Sequence, residues 1–364
     1  MSYNGIYNPN IADILFGSYI RYDRLYQMTM FALNSSDGDS ANVFIDMKSI
    51  LKSLYDRGDG LMINDSYAIA SCFINLAIHL RAYFETRHRV STKIYIVYGG
   101  ARPAYAMQTY PRYNEKNILT EDSNPFMSNL IKDNLQVIKI LCPYLNDFFY
   151  IEDFENEFSV IVSSLINRIN NPAIPNIIYS KDIMSYQLVA FKHRTFLYRP
   201  KKKMNEDISW VTTKSTLYNA YRYGELGVTK NIETTLDVKM FAIYLSIAGV
   251  KSRSIGSTKN ANSTIKLLEQ AVERNIFSRG YNSSAIFCTL PNPFEILFSG
   301  TNVDPADIMA KFSAIDLLHN TMLYESSLAY KSVTEGIINL YNPDEVRYIN
   351  NAYFRECPLD LNRV

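Results

Sequence analysis

The sequence predicts an α/β protein: a mainly parallel central sheet flanked by helices, followed by a helical region and terminal extensions. Three observations predict it. Short apolar runs such as Val43-Phe44-Ile45 and Ile94-Tyr95-Ile96-Val97 end in turn residues, as buried parallel strands do. These runs alternate with stretches long enough to be crossover helices, the pattern of βαβ units. From about residue 205 the strand-like runs give way to helical spacing.

Residues 1–42 read as an N-terminal helical extension. Ile11, Leu15, Tyr19, Ile20, Leu25 and Met28 fall roughly at helical spacing, before a loop at Asn34–Asp39. Residues 43–204 read as the α/β domain. Its first strand, Val43–Asp46, runs into a carboxylate, and a helix over Ile50–Tyr55 precedes the Asp59-Gly60 turn. A long helix spans Tyr67–Arg87. Lys93–Tyr98 is the second strand, ended by Gly99-Gly100. Strands at Phe148–Ile151, Ile177–Ser180 and Thr195–Tyr198 then alternate with helices at Pro125–Leu141, Glu155–Ile169 and Ile183–Ala190. Residues 205–275 form a helical region, with helices at Leu236–Ala248 and Asn262–Arg274. Residues 276–364 form a C-terminal helical extension containing one long helix over Pro305–Ser332.

A net charge of +1 over 364 residues gives the whole molecule no strong field toward nucleic acid or acidic membranes. The dense basic run is local: Lys192, His193 and Arg194, then Arg199, Lys201, Lys202 and Lys203. It reads either as a solvated face or as a phosphate contact. The four cysteines are far apart and have no zinc spacing, so reduced thiols are expected. No secretory leader is read, and no apolar run approaches the roughly 18–20 residues that cross a bilayer. P-loop and nucleophile-elbow patterns are also missing. Abundant Tyr, Asn and Ile suggest an AT-rich coding bias.

Asp46 stands where an open α/β sheet binds ligands, at the carboxyl end of a buried strand. It also stands where a residue would cap the helix that starts near Ser49. Glu157 reads first as a first-turn helix acid favoured by the dipole, and Asp182 as the N-cap of the helix that follows it.

Further blocks give a resemblance. These are Phe44-Ile45-Asp46; Ile96-Val97-Tyr98-Gly99-Gly100 with Pro103; and Tyr110-Pro111-Arg112-Tyr113-Asn114-Glu115-Lys116-Asn117. Then come Glu157–Leu165; Tyr179-Ser180-Lys181-Asp182 with Gln187-Leu188; Tyr198-Arg199-Pro200-Lys201-Lys202; and Gly249-Val250-Lys251-Ser252-Arg253-Ser254-Ile255 between two helices. In this order and near this spacing they resemble the flap-endonuclease (5′-nuclease) family of PIN-like nucleases, over about residues 40–275. The last block resembles that family's helix–three-turn–helix, which grips duplex DNA.

The resemblance implies a site for Mg²⁺ or Mn²⁺ built from carboxylates, hydrolysing phosphodiesters with two metals about 4 Å apart. Asp46, Glu157 and Asp182 retain ligand positions. Others carry Tyr98, Ser159, Val160 and Ser180, and the turn has Arg253 where an acid would stand. The resemblance also offers Arg199, Lys201, Lys202, Lys203, Lys251 and Arg253 as nucleic-acid contacts. Three carboxylates cannot readily hold two metals and also position water. The expectation is therefore a degenerate family member with no cofactor, with metal-dependent nuclease and non-catalytic duplex binder as alternatives. The composition looks like that of tailed bacteriophages, crAss-like phages among them. That suggests a virion component, such as a neck or tail ring, made in the host bacterial cytoplasm. Its expected partners are virion proteins and copies of itself.

Overall fold

The computed structural model of the chain describes residues 40–51, 67–100, 102–116, 118, 125–192, 194–198, 210–211, 236–277, 286, 291–335, 337–355 and 358–361. The predicted N-terminal helix, the Asp59-Gly60 turn and the basic positions Arg199, Lys201, Lys202 and Lys203 lie outside these residues.

Among the described residues six strands form one sheet: β1 (Ser40–Asp46), β2 (Ser91–Gly99), β3 (Phe148–Asp153), β4 (Asn176–Tyr179), β5 (Thr195–Tyr198) and β6 (Trp210–Val211). Their order is β3-β2-β1-β4-β5-β6. The first five run parallel, and the two-residue β6 pairs antiparallel with β5. This is the mainly parallel sheet that the apolar runs predict. β1 lies mid-sheet between β2 and β4, so both of its faces are covered and it reads as a continuous apolar run.

The helices follow in chain order: α1 (Ala68–His88), α2 (Ala104–Thr109), α3 (Pro125–Leu141), α4 (Phe158–Ile169), α5 (Ser185–Phe191), α6 (Phe241–Ala248), α7 (Ala261–Glu273), α8 (Pro293–Leu297), α9 (Pro305–Ile315), α10 (Leu317–Glu325), α11 (Leu328–Glu335) and α12 (Pro343–Tyr353). Strand alternation divides the core in two. Val43, Ile45, Ile94, Ile96 and Tyr98 pack with α1, α3 and α12. Phe44, Tyr95 and Val97 face the other way, toward α4, α5, α6 and the helices after it.

Several boundaries differ from the sequence expectation; the helix expected over Leu236–Ala248, for one, is α6 from Phe241, after a 3-10 turn at Val238–Met240. α4 begins at Phe158, which leaves Glu157 at the N-cap position. Helix α2, after Pro103, carries too short an apolar pattern to be read from periodicity. The single helix expected over Pro305–Ser332 is three. Asp316 makes the first break: its N–H donates to Phe312 O at 2.8 Å to end α9, and its carboxylate accepts from His319 N at 3.0 Å to cap α10. Gln187 on α5 clamps this corner, donating from Nε2 to Ile315 O (2.8 Å) and accepting from Leu317 N (3.0 Å).

Candidate functional site

Three acids stand at or just beyond the carboxyl ends of strands β1, β3 and β4, the crevice where open α/β sheets bind ligands. Asp46 ends β1, Glu157 follows β3, and Asp182 follows β4. Asp46 shares the parity of Phe44, so it is directed to the face of the sheet covered by α4.

Asp46 is buried, at 3% exposure. Its Oδ1 accepts from Ser49 N at 3.1 Å, capping the short helical turn at residues 47–51. Its Oδ2 accepts from Ser180 Oγ at 2.6 Å. Ser180 Oγ in turn accepts from Asp182 N at 3.0 Å, so one hydroxyl ties the β1 carboxylate to the β4 loop. Burial, with the Asp182 charge beside it, holds the Asp46 carboxyl above its ordinary value, against the hydrogen bonds from Ser180 and Ser49.

Glu157 does not cap α4 with its side chain. Its Oε2 accepts from the buried Tyr113 hydroxyl at 2.9 Å. Its Oε1 lies 2.9 Å from Arg253 Nε. That contact is an ion pair too bent to be a hydrogen bond, and it leaves both atoms buried without one. The same guanidinium reaches Asp182 through Nη2, at 2.5 Å from Oδ2. Burial raises the Glu157 carboxyl, and Arg253 pulls it back only in part. Burial also works against the charge on Arg253, but Asp182 and Glu157 outweigh it and hold the guanidinium firmly protonated. The Tyr113 phenol is pushed well up by burial and by the Glu157 charge, so it stays a donor.

Arg253 reaches this place because its turn is fixed. Gly249 ends α6 at φ 81°, where a Cβ would come within 2.6 Å of Ser257 N. Val250 and Ile255 then form an antiparallel bridge across the turn. Arg253 O accepts from Asn114 N at 2.7 Å, and Ser254 Oγ accepts from Lys116 N at 2.9 Å. The segment 110–116 is thus bound to the turn, and Tyr113 and Arg253 meet Glu157 together.

The site therefore joins Asp46, Glu157 and Asp182 through Ser180 and Arg253. Arg253 is not the surface contact that a basic turn suggests. Its side chain is 13% exposed and faces acids, whereas Lys251 two residues earlier is exposed. Tyr98 corrects the expected alignment. It lies on the opposite face, packed with Ile94 and Ile96, and Gly99 is the strand residue that approaches the start of α4. A Cβ at Gly99 would stand 2.2 Å from Phe158 N, so no ligand side chain can occupy that position. Ser159 and Val160 are buried in α4. The sequence places Arg253 at an acid's position but suggests a nucleic-acid contact; in the structure it pairs instead with two of the three acids that are kept.

Among the described residues no group of three or more His, Cys, Asp or Glu is placed to hold a metal ion. The donor set does not fit a divalent cation, because a guanidinium already stands between Glu157 and Asp182.

No protein-family model matches the chain, and no curated protein matches it in sequence. Solved structures do match. A bacteriophage T5 protein co-crystallised with metal ions superimposes with a TM-score of 0.53 at 9% identity, over 85% of this chain and 99% of that one. The bacteriophage T5 flap endonuclease, in a pseudo-enzyme–product complex with DNA and metal ions, gives 0.55 at 8% identity, over 85% and 98%. The chain has the flap-endonuclease fold. T5 5′-exonuclease bound to divalent zinc gives 0.51 at 11% identity, over 81% of this chain and 98% of that one. At these identities the likeness concerns the fold, and function has to be argued from the site.

Proposed function

We propose that this chain is a catalytically silent flap-endonuclease-fold protein that serves as a structural or assembly component of a tailed-phage virion, such as a neck or tail ring. One observation carries the catalytic half of the reading: Arg253 holds Glu157 and Asp182 in ion pairs where a metal-dependent nuclease needs its cations. A divalent ion wants six or more hard oxygen ligands, and the remaining positions offer hydroxyl, phenol or apolar side chains instead. The virion role draws on the phage-like composition and on the fold kept without its ligand set. The expected partners are neighbouring virion proteins and further copies of the chain.

The nuclease reading has one observation of its own, since Glu157 and Asp182 still meet at the carboxyl ends of the strands. A single experiment separates the two. Purified protein is incubated with flap and nicked duplex DNA in Mg²⁺ or Mn²⁺. The expected result is no cleavage above background. Cleavage that Asp46→Ala abolishes would overturn the silent reading. The assembly half is checked by native mass of the purified chain and by its presence in purified particles. A stable monomer missing from particles removes it.

A further inference from the structure

We propose that Arg253 is a built-in counter-cation that closes this carboxylate site to divalent metals, and that removing its guanidinium opens a divalent-cation site on Glu157 and Asp182. The inference deepens the silent reading of the site and is independent of any virion role.

Two carboxylates on different elements, the loop after β3 and the loop after β4, converge on one guanidinium. Oε1 of Glu157 sits on Nε and Oδ2 of Asp182 on Nη2 of that one group, so the space the guanidinium fills is what separates them. Glu157 is 7% exposed, and its Oε1 points into this space with no hydrogen bond. That oxygen has lone pairs to offer. Asp46 stands behind Asp182, linked through Ser180, and Lys48 adds a second positive charge near Glu157. A Mg²⁺ or Mn²⁺ ion would need these oxygens at about 2.0–2.6 Å. At that position it would lie within roughly 4 Å of the guanidinium, where like charges in a half-dry site repel by several kcal/mol. Arginine and metal are thus alternatives. The arginine wins in the native chain because its turn is pinned to the 110–116 segment and its side chain needs no recruitment from solution.

The test is binding, not cleavage. Free Mn²⁺ is counted by electron paramagnetic resonance during titration of chelator-treated full-length protein. Five forms are compared: native, Arg253→Lys, Arg253→Met, Asp182→Asn and Arg253→Met/Asp182→Asn. The native chain and Arg253→Lys should leave Mn²⁺ free. Arg253→Met should take up one Mn²⁺ per chain at least tenfold more tightly than native, with a dissociation constant near or below about 1 mM, in the range of carboxylate sites. The double variant should return to the native behaviour. At 10 mM Mn²⁺ this binding would raise the melting temperature of Arg253→Met by about 2 °C and leave the native value alone. Uptake of one Mn²⁺ by the native chain, lost on Asp182→Asn, would overturn the proposal. So would an Arg253→Met chain that binds no more than native. If Arg253→Met folds only in the presence of Mn²⁺, the proposal stands; if Mn²⁺ does not restore folding, it falls. Cleavage activity is read separately, so its result bears on the functional reading and not on this one.

Discussion

Replacing Arg253 by Met tests, without any metal, whether the guanidinium is the partner that the two acids require. Methionine keeps the length and apolar stem of the side chain and removes the charge. Glu157 and Asp182 are 9% and 13% exposed at the side chain, so neither can recover full hydration when the cation goes. Removing one member of a buried pair typically costs about 3–5 kcal/mol, whereas an exposed pair contributes about 0–1 kcal/mol. The small remaining exposure, and the Tyr113 hydrogen bond that Glu157 keeps, place the expectation at the lower end, about 3 kcal/mol. For a chain of 364 residues that corresponds to a melting temperature lower by about 4 °C. Urea denaturation of the native chain, Arg253→Met, Asp182→Asn and the double variant closes the cycle. The double variant should lose less than the sum of the singles, by about 1–3 kcal/mol, because Asp182→Asn removes the charge that Arg253→Met strands. A loss below about 1 kcal/mol with additive singles would refute the argument, since it would make Arg253 an ordinary surface pair.

Two further outcomes follow from the same geometry. Gly99→Ala places a Cβ 2.2 Å from Phe158 N and 2.8 Å from Glu157 C, both backbone atoms that cannot turn aside. The start of α4 must move, and urea denaturation should show a loss of about 3 kcal/mol or more, beyond the usual overpacking of a flexible side chain; an unchanged midpoint would show that this contact gives easily. Asp46 is raised above its ordinary 3.8, so the folded state holds a proton that the unfolded state releases as pH climbs past that value. Its contribution is fully present below pH 3.8 and is lost as pH rises through the folded value. The stability of the native chain minus that of Asp46→Asn, measured at pH 4, 5, 6 and 7, should fall with pH and then level off. A difference that grows with pH would mean that the hydrogen bonds from Ser180 and Ser49 outweigh burial.

The sheet is legible in the sequence because burial on both faces leaves a local mark. Val43–Ile45 and Ile94–Val97 are apolar without interruption, and the helix-length stretches that alternate with such runs mark them as buried parallel strands. The edge strand β6 has two residues and leaves no such mark. The break at Asp316 was hidden for a different reason: Ile315 and Leu317 continue the apolar spacing across it, and the residue that clamps the corner, Gln187, lies far away in the chain. The site was legible in its acids and misleading in its bases. Asp46, Glu157 and Asp182 are found from their places after strands. Lys251 and Arg253 look alike in the sequence as parts of a basic turn, yet one faces solvent and the other faces acids, because the turn's hydrogen bonds to Asn114 and Lys116 set which way each points. Tyr98 and Gly99 show the same limit at one-residue resolution: slipping a strand by one position moves a side chain to the other face.

These points converge on why the acids persist. A buried carboxylate left without a cation is destabilising unless it is hydrogen-bonded or protonated, as Asp46 is between Ser180 and Ser49, or unless a charge is supplied. On the silent reading proposed above, Ser159 and Val160 would illustrate removal; Arg253 supplies a charge for Glu157 and Asp182. Once that arginine is in place the acids become a joint between β-sheet, 110–116 segment and helical module, because Arg253 and Tyr113 reach Glu157 from two different directions. Losing Glu157 would then strand Arg253 just as losing Arg253 strands Glu157. The ion pairs give each member a reason to be kept for stability.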